Sequence, residues 1–313
     1  MSPGETSARI AIVGGGAMGS VFAGLFASAG HEVTIVSRPG AHLEAIRKVG
    51  LRVEGASGDR TVNVRALGAP PEETFDLIIL AVKATQVEAA VAGIAPMLGA
   101  STPLMAIQNG LGAVDIISRS VHPDRIAVGI AAAFGASVVA PGHVHHAGMG
   151  LIQIGAVLGL PADRVDWIAD LWRSAGFKAE ATKNIVSMQW EKLICNASFS
   201  APCAITGLTV GGALSDPWLG PVCIAAGKEA WNIARASGVT LGVTDPEAHI
   251  RAFAERVSAA KPSLLQDLEA GRPSEIDFIN GAIPREASRV GAIAPVNETL
   301  TALVKALEAK HAR

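Results

Sequence analysis

A run of glycines near the start of the sequence has the spacing of a phosphate-binding turn. Gly14-Gly15-Gly16-Ala17-Met18-Gly19 fits G-x-G-x-x-G, with the apolar run RIAIV (9–13) before it and a helix-like segment after it. Gly14 would permit the tight turn, Gly16 the approach of a pyrophosphate, and Gly19 close packing of helix on strand. Free N–H groups and the helix dipole would attract the phosphates. A glycine turn without a ligand is the alternative, but the context favours a dinucleotide.

The end of the next apolar segment indicates which dinucleotide is bound. HEVTIVSR (31–38) ends in Ser37-Arg38, where a site for NAD usually carries an acidic residue for the ribose 2′-hydroxyl. A carboxylate would repel a 2′-phosphate, whereas the Arg38 guanidinium can pair with it and stack on adenine. Arg38 could equally be an ordinary exposed arginine at a strand end. The position favours NADPH as the cofactor.

Two further polar residues each follow a buried strand. Lys83 comes after the run LIILAV, and Asn109 lies in AIQNGLG. Open α/β sheets bind ligands at the carboxyl ends of their strands. Either residue could instead satisfy the backbone of its own loop. Their shared position favours a role in a binding site.

The C-terminal half contains a row of polar residues on one helix. QWEKLICNASFS places Lys192, Asn196 and Ser200 four residues apart, and therefore on one helix face. Such a row could line a binding or catalytic site. A polar row is most often solvated surface, however, and the spacing alone does not decide between these interpretations.

The segment PSEIDFING (273–281) has the pattern of a helix start. Ser274 would be the N-cap and Asp277 the third helical residue of a capping box, which places Glu275 in the first turn. Ser263, which precedes LLQD, would cap another short helix.

These residues need a frame of strands and helices. Short apolar runs alternate with helix-length segments up to about residue 130, which predicts a doubly wound parallel sheet. The short strands HVHHAG and GLIQIG are assigned to the outer part of the same sheet. Helical patterns follow at 186–206, 217–237, 246–260, 274–290 and 296–312. We predict an α/β protein with an N-terminal Rossmann-type domain (1–183) and a C-terminal all-helical domain (184–313).

The composition argues against several classes of protein. Lys and Arg number 26 against 28 Asp and Glu, for a net charge of -2, so no broad basic field is available for nucleic acid or an anionic membrane. The apolar stretches end before the roughly 20 residues of a bilayer span, and residues 1–8 lack a secretory signal. The 3 cysteines form no CxxC pair and are expected to be reduced thiols of a cytoplasmic protein.

A histidine cluster invites a metal interpretation. His143 and His145 would face the same side of a strand, and His146 follows them, but no acidic or cysteine partner lies near them in the sequence. A hairpin strand at the surface accounts for GHVHHAG. We expect no bound metal.

Together these blocks resemble the ketopantoate reductase family (2-dehydropantoate 2-reductase) over nearly the whole chain. The matching blocks are IVGGGAMG, VSR, LAVKATQ, IQNGLG, WEKLICN, SLLQDLEAGRPSEIDFING and AIAPVNETL. The resemblance implies that NADPH reduces ketopantoate, a small keto acid, to pantoate, a step of pantothenate biosynthesis. The glycine turn, Arg38 and Lys83 would then bind the cofactor, and Asn109 would contact both nicotinamide and substrate.

The resemblance also implies roles for the C-terminal residues. Lys192 would donate the proton to the substrate carbonyl oxygen. Glu275 would orient Lys192 and bind the nicotinamide side of the cofactor. The remaining substrate contacts would come from Asn196, Ser200 and Ser263.

Two departures from the family pattern leave the substrate open. Ser200 stands where the family often has Asn, and Val210 stands at a second position that is commonly polar. Ser offers a shorter hydroxyl and Val no hydrogen-bonding group, so another 2-keto acid or ketone is an alternative substrate. A non-catalytic NADP(H) sensor is a second alternative, although a sensor needs no proton donor. The sequence does not decide whether the chain forms a homodimer.

Overall fold

The computed structural model describes residues 7–311, and the chain divides into two compact units. The first unit runs to Gln108 and resumes over Ala113–Ile185. The second contains Asn109–Gly112 and the chain from Val186 onward. A segment carrying Asn109 therefore belongs to the second unit, although the sequence analysis assigned it to the first domain.

The first unit is built on an eight-stranded sheet with the order β12-β11-β8-β7-β6-β1-β2-β5. Its pairings are parallel except that β8 and β11 run antiparallel. The described strands of this sheet are β1 (Arg9–Val13), β2 (Glu32–Val36), β5 (Arg65–Leu67), β6 (Leu77–Leu80), β7 (Leu104–Ala106), β8 (Ile126–Ala131), β11 (Leu151–Ala156) and β12 (Lys178–Ala181). The helices are α1 (Ala17–Ser28), α2 (Ala41–Val49), α3 (Val87–Gly93), α4 (Ala113–Ile117) and α5 (Ala162–Ser174).

A second sheet covers the helix that follows the glycine turn. It has the order β4-β3-β10-β9, with β3 (Leu51–Gly55), β4 (Arg60–Val62), β9 (Gly135–Ala140) and β10 (His143–Gly148). A Cβ atom at Gly24 of α1 would lie 2.4 Å from Val53 Cγ2 of β3, so only glycine allows this approach. Covered on both sides, α1 is buried from Gly19 to Phe26.

The assignment of HVHHAG to the outer part of the main sheet is wrong. This segment is β10, which pairs with β3 and β9 in the second sheet, whereas GLIQIG forms β11 of the main sheet as expected. The reason is visible in the burial of β10, where Val144 and His146 are buried and their neighbours are not. Strands buried on one face alternate in this way, while β6 in the main sheet is buried throughout.

The second unit is helical in its described part. It contains α6 (Ile185–Thr206), α7 (Val210–Ser215), α8 (Leu219–Ala236), α9 (Pro246–Arg256), α10 (Ser263–Glu269), a 3₁₀ turn (Ile276–Phe278), α11 (Ala282–Arg289) and α12 (Pro295–His311). The predicted fold class, a Rossmann-type sheet followed by a helical part, is confirmed. No described helix is long and apolar enough to cross a bilayer.

The prediction of one helix over 274–290 is wrong. The segment forms the 3₁₀ turn, breaks near Ile279 and restarts as α11. Pro284 lacks the N–H that a continuous helix would direct to the carbonyl of Asn280, whereas a proline is tolerated in the first turn of a new helix. The capping box is also absent, because the Ser274 hydroxyl accepts from the N–H of Ile276 at 3.2 Å.

Candidate functional site

The glycine turn of the first unit has the geometry that a pyrophosphate requires. Gly14 has φ +113° and donates its N–H to the Val36 carbonyl at 2.8 Å. A Cβ atom at Gly19 would lie 1.9 Å from the Gly14 carbonyl oxygen, so the turn and α1 touch backbone to backbone. A Cβ atom at Gly16 would meet nothing within 4 Å, and no side chain caps α1. The first N–H groups of α1 therefore fit a dinucleotide phosphate.

Ser37 and Arg38 lie at the carboxyl end of β2, beside this turn. Ser37 donates its N–H to the Leu67 carbonyl, and its Cβ would be 3.0 Å from a Cβ atom at Gly15. Arg38 is exposed and makes no hydrogen bond or ion pair with another described residue. Its guanidinium is thus available to an anionic ligand, and no acidic side chain ends this strand.

Lys83 is held in the loop after β6 by a residue that the sequence analysis did not single out. Lys83 is partly buried and precedes a 3₁₀ turn (Ala84–Gln86). Gln108, after β7, donates from Nε2 to the carbonyls of Leu80 at 2.6 Å and Val82 at 3.0 Å. These two acceptors fix the orientation of the amide and the backbone before Lys83. In the sequence, the position of Gln108 beside Asn109, just after a buried strand, was the one indication of this role.

The segment carrying Asn109 is fastened to the turn carrying Glu275. The N–H of Leu111 donates to the Phe278 carbonyl at 2.9 Å, and Arg285 Nη2 donates to the Leu111 carbonyl at 2.9 Å. Gly110 has φ +82°, and a Cβ atom there would lie 1.8 Å from the Phe278 oxygen. Only glycine allows this approach. Asn109 itself is partly buried and forms no hydrogen bond with another described residue.

The polar row on α6 is not a solvated surface. Lys192 and Asn196 are partly buried, and Ser200 is only 4% exposed. The side chains of Asn196 and Ser200 make no hydrogen bond with another described residue, whereas Ser198 on another face bonds the carbonyl of Ile194. Their hydrogen-bonding groups therefore remain available to a ligand.

Lys192 and Glu275 form the charged centre of the second unit. Glu275 is 8% exposed and lies at the start of the 3₁₀ turn. Burial lowers the pKa of Lys192 to about 8, and the charge of Glu275 opposes this shift without cancelling it. Desolvation therefore outweighs the carboxylate. An amine with this pKa exchanges a proton readily near neutral pH, which suits a general acid.

Ser263 differs from its prediction, whereas Val210 agrees with it. Ser263 is exposed and is the first residue of α10 after Pro262, so it does not cap that helix. Val210 begins α7 with its side chain in the helical core, where it offers no polar group. Cys195 is buried, and burial raises its pKa to about 12.

The histidines of β10 have a partner that is distant in sequence. His143 Nε2 lies 3.0 Å from Glu54 of β3, and His145 Nδ1 lies 3.8 Å from the same carboxylate. His146 is buried, with Nδ1 3.0 Å from the Ser57 hydroxyl. Within residues 7–311, no group of three or more His, Cys, Asp or Glu residues is arranged to hold a metal ion.

A Rossmann-type unit with a dinucleotide turn and a helical unit with a partly buried lysine beside a buried carboxylate define a class of dinucleotide-dependent oxidoreductases. The family model described as Ketopantoate reductase PanE/ApbA matches residues 10–159, and the model of its C-terminal part matches 184–308. The chain belongs to the ketopantoate reductase family, whose members are enzymes that use NAD(P)H to reduce a keto group.

Individual relatives agree with this assignment. The 2-dehydropantoate 2-reductase of Pyrococcus horikoshii is 33% identical, with 96% of this chain and 97% of the relative covered. The crystal structure of a PanE/ApbA family ketopantoate reductase from Ralstonia eutropha matches with a TM-score of 0.89 and 34% identity, over 97% of this chain and 100% of that one. D-mandelate dehydrogenase with NADH and anilino(oxo)acetate matches with a TM-score of 0.90 and 27% identity, over 97% and 99%.

Proposed function

We propose that the protein reduces 2-dehydropantoate to pantoate with NADPH, a step of pantothenate biosynthesis. The observation that carries this proposal is the partly buried Lys192 beside Glu275, whose pKa of about 8 suits a proton donor to a keto oxygen. Relatives that cover 96% of the chain are named for the same reaction. The Rossmann-type unit is proposed to bind the cofactor, and the helical unit to provide the substrate contacts and the proton donor.

The proposed choice of NADPH rests on the end of β2. Arg38 is exposed and has no described partner, so it can pair with a 2′-phosphate. Gly14–Gly19 would hold the pyrophosphate, and Lys83 would contact the cofactor from the loop after β6. Structural relatives with bound NADH exist, so this preference needs its own measurement.

The proposed chemistry assigns one task to each polar group. Bound NADPH supplies the hydride that reduces the carbonyl carbon. The Lys192 ammonium donates its proton to the carbonyl oxygen as negative charge develops there. Glu275 keeps that proton on Lys192 against the effect of burial. Asn109, Asn196 and Ser200 would hydrogen-bond the substrate, as would Ser263 from the exposed start of α10.

A second candidate is the same reaction on a different 2-keto acid. Val210 is buried in the apolar core and Ser200 offers only a hydroxyl, so fewer groups are available to bind a substrate hydroxyl than the family pattern provides. A site with fewer partners for a hydroxyl discriminates less strongly in its favour. The likeness to D-mandelate dehydrogenase points to phenylglyoxylate, the keto acid of mandelate, as the competitor to test.

The loss of NADPH absorbance decides between these candidates. The purified protein is assayed with 2-dehydropantoate, with 3,3-dimethyl-2-oxobutanoate, which lacks only the terminal hydroxyl, and with phenylglyoxylate. The proposal expects the highest kcat/KM with 2-dehydropantoate. A higher value with phenylglyoxylate would transfer the assignment to the second candidate. NADPH binding without turnover of any keto acid would indicate a sensor.

The compartment is part of the same proposal. The three cysteines at 195, 203 and 223 are buried free thiols, which accords with a reducing compartment. We therefore expect the reaction to take place in the cytoplasm. Fractionation of the native host with an antibody against the chain tests this expectation directly.

A further inference from the structure

Two fully buried asparagines lie in sequence blocks that the proposed chemistry does not use. Asn280 belongs to DFING and Asn297 to APVNETL, and both are 0% exposed. Asn280 Nδ2 donates to the Ala197 carbonyl of α6 at 2.8 Å and to Asn297 Oδ1 at 2.9 Å. A chain of hydrogen bonds thus leads from α12 to the helix that carries Lys192.

The side-chain amides of Asn280 and Asn297 both have a fixed orientation in this series of hydrogen bonds. Glu229 accepts from the N–H groups of Val296 and Asn297 and from Asn297 Nδ2 at 2.8 Å. Because a carboxylate accepts only, Asn297 must turn its Nδ2 toward Glu229 and its Oδ1 toward Asn280. Asn280 must then present Nδ2 to both of its partners. Flipping either amide would place two acceptors against each other.

The side-chain nitrogen of Asn280 makes two hydrogen bonds, whereas its side-chain oxygen makes none with the described residues. Asn280 Oδ1 is buried and has no hydrogen-bond partner among the described residues. A buried acceptor without a partner destabilises a fold. The value of this side chain therefore lies in the two bonds that connect α6 with α12.

The turn that carries Glu275 is held by one face of α12. Asn297 bonds Asn280, Lys305 pairs with Asp277 at 2.6 Å, and Glu308 accepts from the Ser274 N–H at 2.8 Å. Positions 297, 305 and 308 lie within one side of a helix at 100° per residue. The Lys305–Asp277 pair is half exposed and contributes little. Asn280 supplies a buried side-chain hydrogen bond between the end of this turn and α6.

We propose that Asn280 is a positioning residue, which fixes the Glu275 turn against α6 and so sets the distance between the Glu275 carboxylate and the Lys192 ammonium. Asn297 orients the amide of Asn280 for this task. The inference rests on the proposed role of Lys192 as proton donor. Glu191, the charged neighbour of Lys192 in sequence, is already bonded to Ser187 and to the Gly242 N–H.

The test reads the Lys192 amine directly in the cofactor-free protein. Trinitrobenzenesulfonate labels the neutral amine, and mass spectrometry of the peptide carrying Lys192 gives the pH midpoint of its labelling. This readout needs neither substrate nor turnover, so it can fail or succeed separately from the proposed reaction. We compare the wild type with Asn280→Ala, Glu275→Gln and the double variant, together with kcat for 2-dehydropantoate.

A positioning role predicts effects that are not additive. Asn280→Ala should lower the labelling midpoint toward that of Glu275→Gln and reduce kcat about fivefold, because the carboxylate no longer stabilises the ammonium. In the Glu275→Gln background, Asn280→Ala should change the labelling midpoint and kcat by no more than about a third of the changes that it causes in the wild type. An equal shift in both backgrounds, an unchanged midpoint or an upward shift would overturn the proposal.

A second pair of variants separates positioning from loss of stability. Asp245→Ala removes the N-cap of α9 in the same unit and should lower the unfolding temperature with the Lys192 midpoint unchanged. Asn280→Ser keeps one donor and is used if Asn280→Ala does not fold. Its midpoint should lie between those of the wild type and Glu275→Gln, and a wild-type midpoint would refute the inference.

Discussion

The glycine turn of the first unit and the Lys192–Glu275 pair of the second are built in different ways. The turn is a local structure in which six consecutive residues, Gly14 to Gly19, present backbone N–H groups. The pair depends on residues 83 positions apart, held by further side chains from α12 and by the segment of Gly110. The glycine turn depends on residues without side chains that are adjacent in the sequence. The Lys192–Glu275 pair depends on tertiary packing between distant segments.

The largest effect is expected where a single side chain performs the chemistry. Lys192→Met keeps the length of the side chain and removes the proton donor, so kcat should fall about 1,000-fold, within the range for general acid catalysis. NADPH affinity, measured by fluorescence, should change little because the glycine turn is intact. Lys228→Met on α8, an exposed lysine paired with Glu247, is the matched control and should retain full activity. A less than tenfold loss would remove Lys192 from the proposed role.

Alanine substitutions at two glycines of the turn should have different effects on NADPH affinity and on stability. Gly16→Ala adds a Cβ atom in open space, so the unfolding temperature should stay constant while NADPH affinity falls about 30-fold, the loss of about one charged hydrogen bond. Gly19→Ala places its Cβ atom 1.9 Å from the Gly14 oxygen and should lower both stability and affinity. Calorimetry and NADPH titration of both variants check this contrast. Normal binding by Gly16→Ala would argue against a pyrophosphate at this turn.

The sequence predicts the backbone site better than the side-chain site for the same reason. A strand, a glycine pattern and a helix specify Gly14–Gly19 without reference to distant residues, and the eight-stranded sheet follows from buried apolar runs. The break near Ile279 is hard to predict because Ser274 and Asp277 have the spacing of a capping box, and only Pro284 indicates that the helix does not continue. The bonds of Gln108 and Asn280 join segments that no periodicity relates.

A smaller effect is expected at the edge of the backbone site, where Arg38 is proposed to select the dinucleotide. Arg38→Ala should weaken NADPH binding about tenfold, the value of one exposed charge-assisted contact, and leave NADH binding almost unchanged. Arg119→Ala, another exposed arginine of the first unit, is the matched control. The ratio of the two dissociation constants is the measurement. An equal weakening of NADPH and NADH would assign Arg38 to adenine or to the fold instead of the 2′-phosphate.

The smallest effect tests how strongly Glu275 changes the pKa of Lys192, the proposed proton donor. The proposed reduction uses the Lys192 ammonium as proton donor, so kcat/KM should be constant at low pH and fall as the pH rises through about 8, the pKa of Lys192. Oxidation of pantoate requires the neutral amine and should rise through the same pH.

Glu275→Gln keeps the size of the side chain and removes the charge that raises this pKa, so both limbs should move to lower pH while burial still acts. A downward shift of about one unit would reduce the rate at pH 8 only about fivefold, because the wild-type lysine is already half deprotonated there. Profiles of both directions between pH 6 and about 10 would measure the shift. If the pH dependence of both reactions stays unchanged in Glu275→Gln, burial alone sets the pKa of Lys192. The Glu275 carboxylate would then act on the cofactor instead.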